Sequence, residues 1–99
     1  DRTNMKMAES QNALIDALTD KYDNVIVVLS AGSPVEMPWA DKVKAIVQGY
    51  LGGQAGASAM LNVLTGKVNP SGRLNETYPI CCRKKCKISI WLRTIVYDI

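Results

Sequence analysis

The sequence predicts an α/β fold: a partial three-layer α/β sandwich with a parallel sheet and helices on both faces. Three observations predict it. The run Val25-Ile26-Val27-Val28-Leu29 is apolar throughout and β-branched at four of its five positions. That composition suits a strand buried on both faces of a parallel sheet. Between it and a second apolar run, Ala45-Ile46-Val47, lie 15 residues, enough for a parallel crossover, which needs about a dozen or more. Stretches of helical periodicity stand before the first run and after the second.

The elements follow in order. Residues 9–22 carry Leu14, Ile15, Leu18 and Tyr22 on one helical face, with Glu9, Asn12, Asp16 and Thr19 lying away from it. Glu9 in the first turn suits the positive end of the helix dipole. Asp23-Asn24 breaks the helix before the first strand, 25–29. Ser30-Ala31-Gly32-Ser33-Pro34 is a loop at that strand's C-terminal end. Pro38 is placed to begin a short helix over 38–43, because proline is tolerated in a first turn. After the second strand, 45–47, the glycine-rich stretch 49–56 turns into a helix. There Ala57, Met60, Leu61 and Leu64 show i, i+3, i+4, i+7 spacing. Gly66 suits the C′ position beyond that helix, and Pro70 prevents its continuation.

Two strands with three helices make a poor complete sheet, so the pattern reads as part of a domain. The first strand would then keep bare surface. At about 25 cal/mol per Å², about 400 Å² left uncovered forgoes about 10 kcal/mol, comparable to the stability of a typical domain.

Composition narrows the function. Ninety-nine residues, 47% hydrophobic and 21% charged, make one small domain or a piece of one. The longest uninterrupted apolar run has five residues. That is too short for a membrane helix or a signal-peptide core, so no membrane partner is expected and a cytoplasmic setting is favoured. The first residue is Asp1 rather than Met, which places the expected natural N-terminus elsewhere. Histidine is absent, which excludes Ser-His-Asp and Cys-His machinery, histidine-ligated zinc and haem, and histidine pH switches.

The net charge of +3 is unevenly divided. Residues 1–80 hold seven bases and eight acids, net −1, whereas residues 81–99 hold five bases against Asp98, net +4. Cys81, Cys82 and Cys86 all lie in that second part. Two compositions meet near Ile80.

Each motif has a plain reading beside a functional one. Gly49-Tyr50-Leu51-Gly52-Gly53-Gln54-Ala55-Gly56 follows a strand and opens a helix, as phosphate-binding loops do. Its G-x-x-G-G-x-x-G spacing matches neither the dinucleotide fingerprint nor the P-loop. A tight turn with close helix–sheet packing is the expectation. Gly32-Ser33-Pro34 lacks the G-x-S-x-G frame, and no His exists to activate Ser33. Its place at a strand's C-terminal end allows a ligand-facing or domain-facing role.

Asp1, Glu36, Asp41 and Glu76 fall in or near loops, but sequence pairs no two of them across a cleft. Asn75-Glu76-Thr77 is an N-x-T sequon. Three thiols in the Cys-Cys-Arg-Lys-Lys-Cys-Lys stretch make a poor zinc site without a fourth ligand. Five bases within 83–93, with Trp91 for stacking, make a thin nucleic-acid footprint. Neither a metal, nor another cofactor, nor a nucleic acid is expected.

Five collinear blocks within 1–80 carry a resemblance. They are Asp1-Arg2; Glu9-Ser10-Gln11-Asn12 with Leu14-Ile15; and the stretch from Val25 through Gly32-Ser33-Pro34 to Trp39. Gly49-Tyr50-Leu51-Gly52-Gly53-Gln54-Ala55-Gly56 is the fourth. The fifth runs from Gly66 through Asn69-Pro70-Ser71-Gly72-Arg73-Leu74 to Glu76-Thr77-Tyr78-Pro79. Together they resemble the C-terminal α/β-sandwich domain of glycoside hydrolase family 3, the family of many β-glucosidases.

The resemblance implies a retaining hydrolase acting on a β-linked glucoside or oligosaccharide, with its nucleophilic Asp in a preceding TIM-barrel domain. It also implies an acid/base Glu on a loop that would end immediately before Asp1. Neither carboxylate has a matching position in this chain. Retaining hydrolysis needs two carboxyl groups about 5–5.5 Å apart, so the chain alone is expected to be inactive. Asp1, Arg2, Gly32, Ser33 and Pro34 are its candidates for the edge of the cleft or a domain interface.

Ala8 and Asn75 stand where relatives commonly have proline. Residues 81–99 carry no block of this resemblance. A frameshift or gene fragment is expected there, and 88, 90, 92, 95 and 96 could still alternate as an edge strand. The alternative to a hydrolase fragment is a stand-alone, non-catalytic interaction module that reuses half of the α/β domain.

Overall fold

Strands β1 (Ile26–Leu29) and β2 (Ala45–Gln48) lie side by side and parallel. This is the pairing that the two apolar runs and their crossover length predict. The computed structural model describes residues 3–80 and 94–96. Ile26 stands opposite Ala45 and Leu29 opposite Gln48. The ladder runs on at both ends, with the Lys44 N–H donating to the Val25 carbonyl and the Gly49 N–H to the Leu29 carbonyl, both at 2.9 Å. Strand β3 (Thr94–Val96) pairs with the other side of β2, also parallel, giving the order β1-β2-β3. Of the tail positions expected to alternate as an edge strand, Ile95 and Val96 fall in β3. Ile88, Ile90 and Leu92 lie outside the described residues.

Helix α1 (Glu9–Lys21) starts on the Ala8 carbonyl, which accepts from the N–H groups of Gln11 and Asn12, and has no side-chain cap. It ends where Tyr22 turns extended, at φ −125° and ψ 140°. Of its predicted inner face only Ile15 is buried; Leu14, Leu18 and Tyr22 are exposed. The helix forms with its apolar stripe as read, but one residue of that stripe meets the core.

The short helix expected over 38–43 is a single 3-10 turn, Ala40–Lys42. Pro38 precedes it. The turn rests on i+3 bonds from Ala40 N–H to the Met37 carbonyl and from Lys42 N–H to the Trp39 carbonyl. At Val43 the backbone is already extended (φ −100°, ψ 153°), feeding β2.

Helix α2 (Gly56–Leu64) ends before Gly66, whose φ of +78° is the left-handed conformation expected of a C′ glycine. Its buried residue is Val63, whereas Leu61 and Leu64 of the predicted stripe are exposed.

The core joins Ile15 of α1 to Leu29, Ile46, Val35, Met37, Trp39 and Tyr78. Val27 packs beside it. Alternation along β1 sends Val27 and Leu29 to this side and Ile26 and Val28 to the other. That other side is bare, as expected for a both-faced strand in part of a domain: Ile26 is 54% exposed and Val28 43%. Among the described residues no helix is long and apolar enough to cross a membrane.

Candidate functional site

The loop after β1 forms one wall of a cleft of about 430 Å³, with Ser33 and Pro34 facing Thr3, Asn4 and Met5. Parallel α/β sheets bind ligands beyond the C-terminal ends of their strands, and this cleft stands there. Two backbone bonds hold the loop's far side: Glu36 N–H to the Met5 carbonyl at 2.8 Å, and Met37 N–H to the Pro79 carbonyl at 3.0 Å. Asp1 and Arg2 lie outside the described residues, directly before Thr3 of the facing wall in sequence. Gly32 sits apart from the cleft lining, under Leu51. A Cβ placed on Gly32 would come 3.2 Å from the Leu51 Cδ1.

Among the described residues the lining brings together hydroxyl, amide and apolar groups. Such groups can hydrogen-bond a polar ligand. The loop carboxylates are not gathered there. Glu36 is buried behind the loop, Glu76 is exposed, and Asp41 lines a separate cavity of about 670 Å³ with Asp23, Lys42 and Lys44. That second cavity borders the start of β2, the opposite end of the sheet. Among the described residues no group of three or more Cys, Asp or Glu is placed to hold a metal ion.

Beneath the cleft loop lies a residue that sequence reading passed over. Gln48 ends β2 at 1% exposure. Its Nε2 donates to the Ala31 carbonyl at 3.2 Å and to the Tyr78 hydroxyl oxygen, and its Oε1 accepts the Tyr50 N–H at 3.1 Å. A buried amide left unpaired costs about 1–3 kcal/mol, so this set of partners is what permits a polar side chain here.

Tyr50 takes the left-handed conformation, with φ +50°, that a glycine would adopt without strain. It is held there from three sides. Besides the Gln48 bond, its carbonyl accepts from the Ser30 hydroxyl and its own hydroxyl donates to Asn75 Oδ1, each at 3.2 Å. Strained conformations persist where surroundings fix them this way. Close packing of the glycine loop, as expected, falls at Gly49, where a Cβ would come 2.8 Å from Met60 Cε on α2.

Burial pushes the Tyr78 hydroxyl above its ordinary pKa. The hydrogen bond from Gln48 opposes that rise, and the nearby Tyr50 and Glu76 add to it. Tyr78 is a structural phenol, neutral at physiological pH.

Fold and cleft define a class: part of a parallel α/β domain whose strand-end loops border a hydrogen-bonding cleft. A family model described as the glycosyl hydrolase family 3 C-terminal domain matches residues 1–87, and the chain belongs to that family. It is 56% identical over 80 residues to the thermostable beta-glucosidase B of Acetivibrio thermocellus, covering 81% of this chain and 11% of the relative. A beta-glucosidase of Rhizobium radiobacter is 43% identical over 79 residues, 80% of this chain and 10% of that protein. The probable beta-glucosidase J of Emericella nidulans is 40% identical over 79 residues, 80% of this chain and 9% of its own length. The chain spans about a tenth of the length of these curated relatives.

Proposed function

We propose that these 99 residues are a segment of a retaining β-glucosidase-type hydrolase, acting on β-linked glucosides or oligosaccharides, and that they do no chemistry alone. The observation that carries this reading is 56% identity to a protein named as a β-glucosidase, across four-fifths of the chain. A retaining mechanism needs one protonated and one ionised carboxyl group on opposite sides of the scissile bond. In this reading both come from polypeptide outside residues 1–99, as does the barrel that forms the sugar pocket. The loop of Gly32, Ser33 and Pro34, together with Asp1 and Arg2, supplies an edge of the cleft or of the contact with that barrel.

Two features support the reading. Among the described residues the cleft is lined by Thr3, Asn4, Met5, Ser33 and Pro34, a set of uncharged groups that suits a bordering surface rather than a reacting one. Leu14, Leu18, Tyr22, Ile26 and Val28 stand exposed on α1 and β1, as surfaces do when their covering elements belong to a larger protein. The complete domain would be a three-layer sandwich; the family match runs through Lys87, so a divergent tail would begin after that residue rather than at Cys81.

The test is hydrolysis of an aryl β-glucoside by the purified chain. The expected result is no turnover above buffer. Clear turnover abolished by Asp1→Asn would overturn the proposal and make Asp1 a catalytic carboxylate.

A further inference from the structure

We infer that Gln48 is the positioning residue of the cleft: its carboxamide sets where the rim at residues 31–34 stands. The inference rests on the reading of that cleft as a border of the sugar site.

Three chain segments meet on this one side chain. Ala31, at the root of the rim, lies 17 positions before it, and Tyr78 lies 30 after it. Tyr50 begins the neighbouring loop. A carboxamide offers two donors and an acceptor without charge, and all three interactions run in one sense. Turning the amide over would set Oε1 against the Ala31 carbonyl oxygen and Nε2 against the Tyr50 N–H, two like-against-like contacts. The orientation is therefore fixed by its partners.

The same bonds close a ring around the rim. Gln48 holds Ala31, the Met5 carbonyl holds Glu36, and the Pro79 carbonyl holds Met37. Tyr78, beside Pro79, returns to Gln48. Gly32, Ser33 and Pro34 project between these fixed points. Gln48 also supplies the acceptor for the amide of strained Tyr50, so one residue sets both loops at this end of the sheet.

Residue-resolved amide hydrogen exchange on the 99-residue chain tests the assignment without sugar or activity, so an inactive enzyme would not bear on it. Gln48→Met keeps the length and removes every hydrogen bond. It is expected to speed exchange at Tyr50 and Glu36 at least tenfold, with less than twofold change at Ile15 and Ala17 in α1. Gln48→Glu keeps an acceptor for Tyr50 and loses the donor to Ala31. It is expected to leave Tyr50 protected while Glu36 speeds up. A uniform rise across the chain in Gln48→Met, or no change at Tyr50 and Glu36, would overturn the assignment. Should Gln48→Met fail to fold, Gln48→Glu decides: unequal responses of Tyr50 and Glu36 support it, and equal ones overturn it.

Discussion

The indole N–H of Trp39 donates to the Asn12 side-chain carbonyl at 2.9 Å, joining residues 27 positions apart. Trp39 is 1% exposed, so this bond satisfies a buried donor while tying α1 to the 3-10 turn. A second link between the same elements, Lys42 Nζ to Asp16 Oδ1 at 3.2 Å, lies about half exposed on both sides. The buried link decides how α1 is held, because exposed ion pairs contribute only about 0–1 kcal/mol.

Asn12→Ala is predicted to lower stability by about 1–3 kcal/mol, the cost of orphaning a buried donor. Asp16→Asn is predicted to cost less than about 1 kcal/mol. Urea unfolding followed by circular dichroism measures both. Equal losses would contradict the ranking.

Gly66 and Gly53 give a paired backbone test. Neither has an atom within 4 Å of an added Cβ, but only Gly66 has a positive φ, +78°. Gly66→Ala is predicted to cost about 1–2 kcal/mol in left-handed strain. Gly53→Ala is predicted to be neutral or slightly stabilising, since it restricts the unfolded chain. The same unfolding series tests them, and a Gly53→Ala loss as large as that of Gly66→Ala would count against the geometry.

Alkaline pH tests the Tyr78 environment. Its folded pKa lies above the ordinary value of 10.0 because burial disfavours the phenolate. The neutral phenol therefore contributes stability that is full below pH 10 and is lost as pH rises through the raised folded pKa. Thermal unfolding from pH 9 upward is predicted to show this loss, and Tyr78→Phe is predicted to flatten it. Identical slopes for the two chains would show that Tyr78 is not the group responsible.

The parallel pairing was legible because Val25 to Leu29 and Ala45 to Val47 are apolar, β-branched-rich and separated by a crossover's length. Gly66 was legible because a C′ glycine follows from local backbone sterics. Helix faces were read less well. Periodicity says that Leu14, Ile15, Leu18 and Tyr22 share a side, but not whether anything within these residues covers it. In α2, short and apolar on several sides, periodicity favours the stripe through Leu61 and Leu64, whereas the buried residue is Val63. The cleft wall of Ser33 and Pro34 followed from its place at a strand end. Gln48 carried no such signal: it is one polar residue closing an apolar strand, and its meaning lies in Ala31 and Tyr78, far along the chain.

Exposed Ile26 and Val28 on edge strand β1 predict self-association. Sedimentation velocity should show a weight-average coefficient that rises with concentration in the wild type. A double variant, Ile26→Lys with Val28→Lys, should remain monomeric. A wild-type monomer at all concentrations, unfolding reversibly above about 60 °C, would favour the stand-alone module instead.

A graft tests the proposal that this chain is a segment of a β-glucosidase-type hydrolase whose chemistry lies outside residues 1–99. Residues 1–80 would replace the matched 80-residue stretch of the Acetivibrio thermocellus thermostable beta-glucosidase B, and kcat/KM would be measured on an aryl β-glucoside. The chimera is expected within about tenfold of its parent, a change of about 1.4 kcal/mol or less in transition-state stabilisation. A folded chimera with no measurable turnover would contradict it.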